Sequence, residues 1–340
     1  MTETLTHFIG GKQISAPGAL ESTNPSNTNE IVAKFPDGKV EDVNDAVAAA
    51  RSAFPGWSGS SPEVRADLLD KIGSMIIERK DALGKLLATE EGKTLPEATG
   101  ETVRAGRIFK YFAGEALRRH GQNLESVRPG VEIQTYREAV GVYGLITPWN
   151  FPIAIPAWKI APALAFGNTV VLKSANPTPA VAHALVSIIH EAGAPAGIAN
   201  LVLGRGIVGD ALSKHPDVNG VSFTGSQTVG AKVANAALSH FARVQMEMGG
   251  KNPLVVLDDA ELDRAIQIAV DGGYFATGQR CTASSRVFVQ AGIYDKFVDG
   301  VAARAKALKV GNALDAATQM GPAVTDTQLA GNLKYVDIAI

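Results

Sequence analysis

Cysteine is nearly absent from the sequence: Cys281 is the single one in 340 residues. No intrachain disulfide can form, and a reducing cytoplasm is the compartment this implies. An excess of charge of one sign is also lacking. Lysine plus arginine number 32 against 34 aspartate plus glutamate, a net charge of −2. That leaves no broad basic surface to attract nucleic acid or anionic lipid. No apolar run reaches the roughly 18 residues needed to span a bilayer. Met1 to Gly10 lacks the basic stretch and apolar run of a secretory signal. The six histidines are scattered without metal-ligand spacing, so no zinc or other metal site is expected. What remains is an ordinary globular composition, 46% hydrophobic and 19% charged. The length exceeds what one core usually serves, so two domains are expected.

Helical spacing dominates the first third. Val43, Val47, Ala50 and Phe54 form one stripe; Leu68, Ile72, Met75 and Ile76 form another. Leu83, Leu86 and Leu87 add a third. These stripes read as core packing. Residues 121–139 read differently, as a protruding hairpin. Asn123 to Arg128 and Val131 to Arg137 flank Pro129-Gly130, a dipeptide suited to a type II turn. An isolated hairpin is marginally stable, so this one is expected to lean on a partner subunit, although a plain surface loop is the alternative.

From Val140 to Met248 short apolar runs alternate with helical stretches. The runs are Val140–Ile146, Thr169–Leu172, Asn200–Leu203, Val221–Phe223 and Val244–Met246. The helix after Lys173 has Thr178 as its cap, Pro179 in its first turn and Gly193 at its end. Such alternation predicts a parallel sheet covered on both faces, with ligands bound beyond the carboxyl ends of its strands. A second unit begins after Gly249, with strands at Leu254–Leu257 and Val287–Val289 and a helix at Leu262–Val270.

Two familiar patterns need weighing. Gly92-Lys93-Thr94 mimics the end of a phosphate-binding loop, but Leu87 stands where the first glycine is required and the segment reads as helix. Gly204-Arg205-Gly206-Ile207-Val208-Gly209 fits the dinucleotide pattern, yet the next strand ends near Thr224 without an acidic residue to hold a ribose. Other residues carry more chemistry. Cys281 lies among small and polar residues rather than in an apolar run. It is either a small buried hydrophobe or a nucleophile, its thiolate favoured by Arg280. Glu247 ends an apolar strand before Gly249-Gly250. A general base with a desolvated carboxyl and a salt-bridged strand-end glutamate are both open readings. Asn150, between Pro148 and Pro152, is either an oxyanion donor or a turn asparagine bonded to its own backbone. Gly225 and Gly230 bracket a turn into a helix whose N-terminal amides could take a phosphate.

Together these motifs resemble the aldehyde dehydrogenase superfamily. The match is carried by Pro148-Trp149-Asn150-Phe151-Pro152, Lys173, Phe223-Thr224-Gly225-Ser226, Glu247-Met248-Gly249-Gly250-Lys251 and Gly278-Gln279-Arg280-Cys281. The resemblance implies an α/β fold: a doubly wound, mainly parallel Rossmann-like cofactor domain (1–120 and 140–249) and a second, here incomplete, α/β catalytic domain (250–340). Residues 121–139 would be an oligomerisation hairpin, serving a homodimer or homotetramer. The implied roles are Cys281 as nucleophile, Asn150 and the Cys281 amide as oxyanion donors, and Glu247 as the base that activates water against a thioester. Because thiol-acylating members tend to lack that glutamate, an acid is the expected product. NAD or NADP would lie near Ile146, Thr147, Pro148, Trp149, Lys173, Asn176, Gly206, Phe223, Gly225, Ser226, Val229 and Met248. Asn176 stands where NAD-preferring members carry a glutamate, so NADP should be accepted as well as NAD. The family has a longer C-terminal portion, so the chain is expected to be truncated and poorly active by itself. The run Gly144 to Lys159 and the run Thr277 to Arg286 resemble 2,5-dioxopentanoate dehydrogenases, which implies a carboxylate-bearing semialdehyde. Arg280 and Trp158 are the candidate substrate residues. Succinate semialdehyde, a broad aldehyde range and a non-catalytic binding role are the alternatives.

Overall fold

The structure is a computed structural model and describes residues 2–16, 19–118 and 121–340. The end of the first expected segment, residues 119 and 120, therefore lies outside the described residues. The chain opens with strands β1 (Glu3–Thr4), β2 (His7–Ile9), β3 (Lys12–Ile14), β4 (Ala19–Asn24) and β5 (Asn27–Pro36). Helices α1 (Val40–Ser58), α2 (Pro62–Glu78), α3 (Lys80–Glu91) and α4 (Leu95–Leu117) follow. The hairpin is β6 (Asn123–Glu125) and β7 (Glu132–Gln134). Then come β8 (Val142–Ile146), α5 (Ala154–Ala165), β9 (Thr169–Lys173), α6 (Pro179–Glu191), β10 (Ala199–Leu201), α7 (Gly206–Lys214), β11 (Gly220–Gly225), α8 (Gln227–Leu238) and β12 (Arg243–Met248). Last are β13 (Asn252–Val256), α9 (Leu262–Tyr274), β14 (Ser284–Val289), α10 (Tyr294–Ala307) and α11 (Asp326–Ala339).

The main sheet has seven strands in the order β12-β11-β8-β9-β10-β2-β3. Strands β8 to β12 pair in parallel, while β2 and β3 extend the sheet antiparallel. Period-two alternation explains how it is covered. In β9, Val170 and Leu172 join the core beneath α2 to α6, while Val171 faces the core shared with α1, α7 and α8. Helices therefore lie on both faces, the doubly wound arrangement. The chain winds outward from β8 in both directions, so the switch point lies between β8 and β11, where such sheets open a crevice.

Three expectations need correcting. The first third is not wholly helical: residues up to Pro36 form five strands. Strand β3 is exposed throughout and so carries no apolar alternation to betray it. Strand β12 is not covered on both faces. It is the sheet edge, and all of it except Met246 is exposed. Thr178 sits at the cap position of α6 but makes no capping bond. Glu90 does that work from the end of α3, accepting from the amides of Ala180 and Val181 at 2.9 Å each. Pro179 and Gly193 stand where expected, Gly193 with φ of +98°.

The hairpin is antiparallel, with Leu124 opposite Ile133, shorter than its expected strands. Gly130 has φ of +76°, and the Val131 amide bonds the Arg128 carbonyl, as a type II turn requires. The last unit has its own small core of Val256, Ile266, Ala269 and Phe297 between the parallel pair β13-β14 and helices α9 and α10. From there the chain returns to the larger unit, where Ala313 is buried in the main core and its carbonyl accepts from the Leu95 amide at 3.0 Å.

Candidate active site

The carboxyl ends of the parallel strands carry most of the residues singled out above. Ile146 ends β8, and Thr147, Pro148, Trp149 and Asn150 follow it; Lys173 and Asn176 end and follow β9; Gly206 opens α7 after β10. Phe223, Gly225 and Ser226 end β11 and lead into α8, whose first turn holds Val229; Glu247 and Met248 end β12. Gly225 pairs with Met248 and Thr224 with Glu247 across the two strands. Helix α8 comes close here: a Cβ on Gly230 would lie 2.8 Å from the Met248 sulfur, so only glycine fits without a shift.

This edge suits a polar ligand. Thr147 Oγ1, Ser174 Oγ and Asn176 Oδ1 are buried without a hydrogen-bond partner among the described residues. Buried polar atoms without partners are costly, so a ligand that satisfies them is favoured. Burial lowers the Lys173 ammonium to about 8. Ser226 caps α8 by accepting from the Val229 amide, and first-turn amides of this kind suit an anion. These residues fit a dinucleotide. Gly204 and Gly206 lie at the same edge, and Arg205 between them pairs with Asp37 at 3.1 Å.

Cys281 is an exposed free thiol in the loop before β14. The loop is strained. Ala276, Thr277 and Gly278 have φ of +50°, +56° and +67° in succession. For residues other than glycine that conformation costs about 1–2 kcal/mol each. Glu97 holds the segment by accepting from the Ala276 amide at 2.8 Å. Asn150 reaches the same loop: its Nδ2 donates to the Gln279 carbonyl at 2.9 Å. Gln279 in turn accepts from the Val324 amide at 3.0 Å. Cys281 and Glu247 line one cavity of about 840 Å³, together with Trp158, Phe151, Thr224 and Arg104. That is the size of a small-molecule site.

Arg280 does not face this cavity. Its Nη2 donates to the carbonyls of Asp271 and Gly272 at 2.9 and 2.8 Å, and its guanidinium lies 4.8 Å from the Phe275 ring centre. The candidate for a substrate-binding arginine is therefore corrected. Arg104, from α4, lines the cavity with its guanidinium 5.4 Å from the Trp158 ring centre. A helix-face arginine in a sequence carries no local mark of this. Glu247 is also corrected in one respect: it is exposed rather than desolvated, and accepts from Gln245 Nε2 at 2.9 Å. Lys159 was not singled out by its sequence context, yet it lines the same cavity. Its Nζ donates to Ser222 Oγ at 2.6 Å and Gln245 Oε1 at 3.3 Å, and burial lowers it to about 8 against the opposing charge of Glu247. Gly92-Lys93-Thr94 is not helical, as its spacing had implied, but the link between α3 and α4, and Lys93 is buried in it.

Comparison with known proteins gives a consistent result. The profile of the aldehyde dehydrogenase family matches residues 13–340. An alpha-ketoglutaric semialdehyde dehydrogenase from Bacillus subtilis is 41% identical over 337 residues, covering 98% of this chain and 69% of that protein. Betaine aldehyde dehydrogenase from Staphylococcus aureus in complex with NAD+ superposes with a TM-score of 0.96 at 37% identity, over 98% of this chain and 67% of that one. An NADP dependent enzyme from E. coli superposes with a TM-score of 0.96 at 33% identity, over 98% of this chain and 70% of that one.

Proposed function

This chain belongs to the aldehyde dehydrogenase family, and on that premise we propose how its residues carry out NAD(P)-dependent oxidation of an aldehyde to an acid. The solvent-exposed Cys281 thiol gives up its proton to water, and its sulfur adds to the carbonyl carbon, forming a thiohemiacetal. The Asn150 amide and the Cys281 backbone N–H donate to the resulting oxyanion. A bound NAD or NADP would supply the acceptor for the hydride that leaves the same carbon, and the Cys281 sulfur would then carry an acyl thioester. Glu247 takes a proton from water, the water oxygen adds to the thioester carbon, and the carbon–sulfur bond breaks to release the acid. The observation that carries this reading is that Cys281 and Glu247 line the same cavity.

The substrate we favour is a semialdehyde bearing a carboxylate, such as 2,5-dioxopentanoate. Arg104 and Lys159 both line the cavity; Lys159 Nζ already donates to Ser222 and Gln245, so Arg104 is the cation we assign to the carboxylate, with Trp158 as an apolar wall beside it. The name of the Bacillus subtilis relative supports the same class. Iodoacetamide at neutral pH should modify Cys281 rapidly, and cofactor or aldehyde should slow it. In Arg104→Met, KM for 2,5-dioxopentanoate should rise about tenfold while a neutral aldehyde is unaffected, because one charge-assisted contact is lost. Sluggish labelling throughout would favour a binding role, and a preference for long aliphatic aldehydes would overturn the acidic substrate.

Our proposed division of labour follows the fold. Residues 1–120 and 140–249 hold the cofactor, and 250–340 carry the nucleophile. The hairpin at 121–139 exposes Leu124, Val127, Val131, Ile133 and Tyr136, which suits a contact with a second copy in a dimer or tetramer. Among the described residues no helix is long and apolar enough to cross a membrane. A free thiol as nucleophile accords with a cytoplasmic setting.

A further inference from the structure

We propose that Lys93, just before α4, and Glu97 and Glu101, in the first two turns of α4, are positioning residues that set the separation between the Asn150 loop and the Cys281 loop. This inference rests on the roles assigned above to Asn150 and Cys281. Lys93 is only 1% exposed, and its Nζ donates to Glu101 Oε2 at 2.6 Å and to the Asn150 carbonyl at 2.7 Å. The same ammonium lies 3.9 Å from the Phe151 ring centre. The other oxygen of Glu101 accepts from the amides of Ile153 and Ala154 at 3.1 Å each, at the entry to α5. The Lys93–Glu101 pair therefore holds the chain at Asn150 and again three to four residues downstream.

One turn earlier on the same helix, Glu97 faces the other loop. Its Oε2 accepts from the amide and hydroxyl of Thr94 at 2.9 and 2.8 Å, which anchors the carboxylate to the helix start. Its Oε1 accepts from the Ala276 amide, where the left-handed run toward Cys281 begins. The bond from Asn150 Nδ2 to the Gln279 carbonyl closes the ring between the two loops. A buried ion pair is weak ground for stability, since desolvation offsets most of the attraction. Its bonds here run to the backbone of the loop that displays Asn150, which is where a fixed geometry matters. Sub-ångström placement of an oxyanion donor controls rate, because donors act at the position the charge will occupy.

A double-mutant cycle tests this. Asn150→Ala should lower kcat by about a hundredfold or more. Lys93→Met should lower kcat by about ten- to a hundredfold, leaving KM for cofactor and aldehyde within about threefold. Alkylation of Cys281 by iodoacetamide forms no oxyanion, so its rate in Lys93→Met should stay within about twofold. The double variant should be no worse than about threefold below Asn150→Ala, because both changes remove one function. Glu101→Gln, which keeps an acceptor for the Ile153 and Ala154 amides but loses the charged partner of Lys93, gives the same test if Lys93→Met does not fold. Effects that multiply with Asn150→Ala, or an unchanged kcat in either positioning variant, would overturn the inference. If Asn150→Ala itself keeps full kcat, the assignment of the oxyanion donor fails, and the bracket falls with it.

Discussion

Strand β9 is buried from Thr169 through Leu172, whereas β12, in the same sheet, is exposed except at Met246. The loops that leave these two strands and their neighbours differ in the same way. Asn150 follows buried β8 and is tied through its carbonyl and its amide to Lys93 and Gln279. Glu247 ends the edge strand and Cys281 sits in an exposed loop, both open to solvent. The contrast separates two demands on one site. A group that only holds a charge gains from being fixed, because it then pays no reorganisation when charge develops. Groups that meet aldehyde, water and departing acid must be reachable.

The largest effect should come from the open side. Glu247→Gln removes the base for thioester hydrolysis and should lower steady turnover by about a thousandfold. The first turnover uses no hydrolysis, so a burst of reduced cofactor near one equivalent should remain in stopped-flow absorbance. A burst that shrinks in parallel would move Glu247 to the earlier step and dissolve the division between holding and reacting groups.

The closed side should show itself as pH-dependent stability. Burial raises Glu91 to about 7, the charge of Lys93 opposing this and that of Glu101 adding to it. The folded chain therefore holds a proton that the unfolded chain, near 4.5, releases. Stability from this group is full below pH 4.5 and is lost as pH rises through about 7. The shift corresponds to about 3 kcal/mol at most. Glu91→Gln keeps an acceptor for the Lys93 amide but cannot titrate. Urea unfolding at pH 4.5 and pH 7.5 should show the wild type losing more stability than the variant across that window. Equal losses would mean that Glu91 is not effectively buried.

The same contrast decides what could be read from sequence. The buried strands β8 to β11 announce themselves as short apolar runs, and each places a motif at its carboxyl end because strand direction is shared. Their neighbours in sequence were harder. Residues 3–36 include exposed strands held by pairing partners rather than by an apolar face. Glu90 caps α6 from a distant helix, so no local spacing shows it. Arg280 stands beside Cys281 in the chain, but the backbone turn sends its side chain to α9. Lys93, Glu101, Arg104 and Lys159 acquire their surroundings from packing between elements. A lysine buried against two glutamates looks, in one dimension, like any charged helix end.

The smallest effect sharpens the comparison within the sheet itself. Val170 in β9 is 0% exposed, and Val244 in β12 is 37% exposed. The two residues have the same side chain and both lie in parallel-paired strands of this sheet. Shortening Val170 to alanine removes two buried methyl groups from a packed core and leaves a cavity, which should cost about 2 kcal/mol. Val244→Ala removes the same atoms from a partly solvated edge and should cost about 0.5 kcal/mol or less. Urea midpoints of the two variants, read with unchanged m-values, give the difference directly. If Val244→Ala costs as much as Val170→Ala, the edge strand is covered in solution by another chain or segment. The openness assigned to Glu247 would then describe a surface that the assembled protein does not expose.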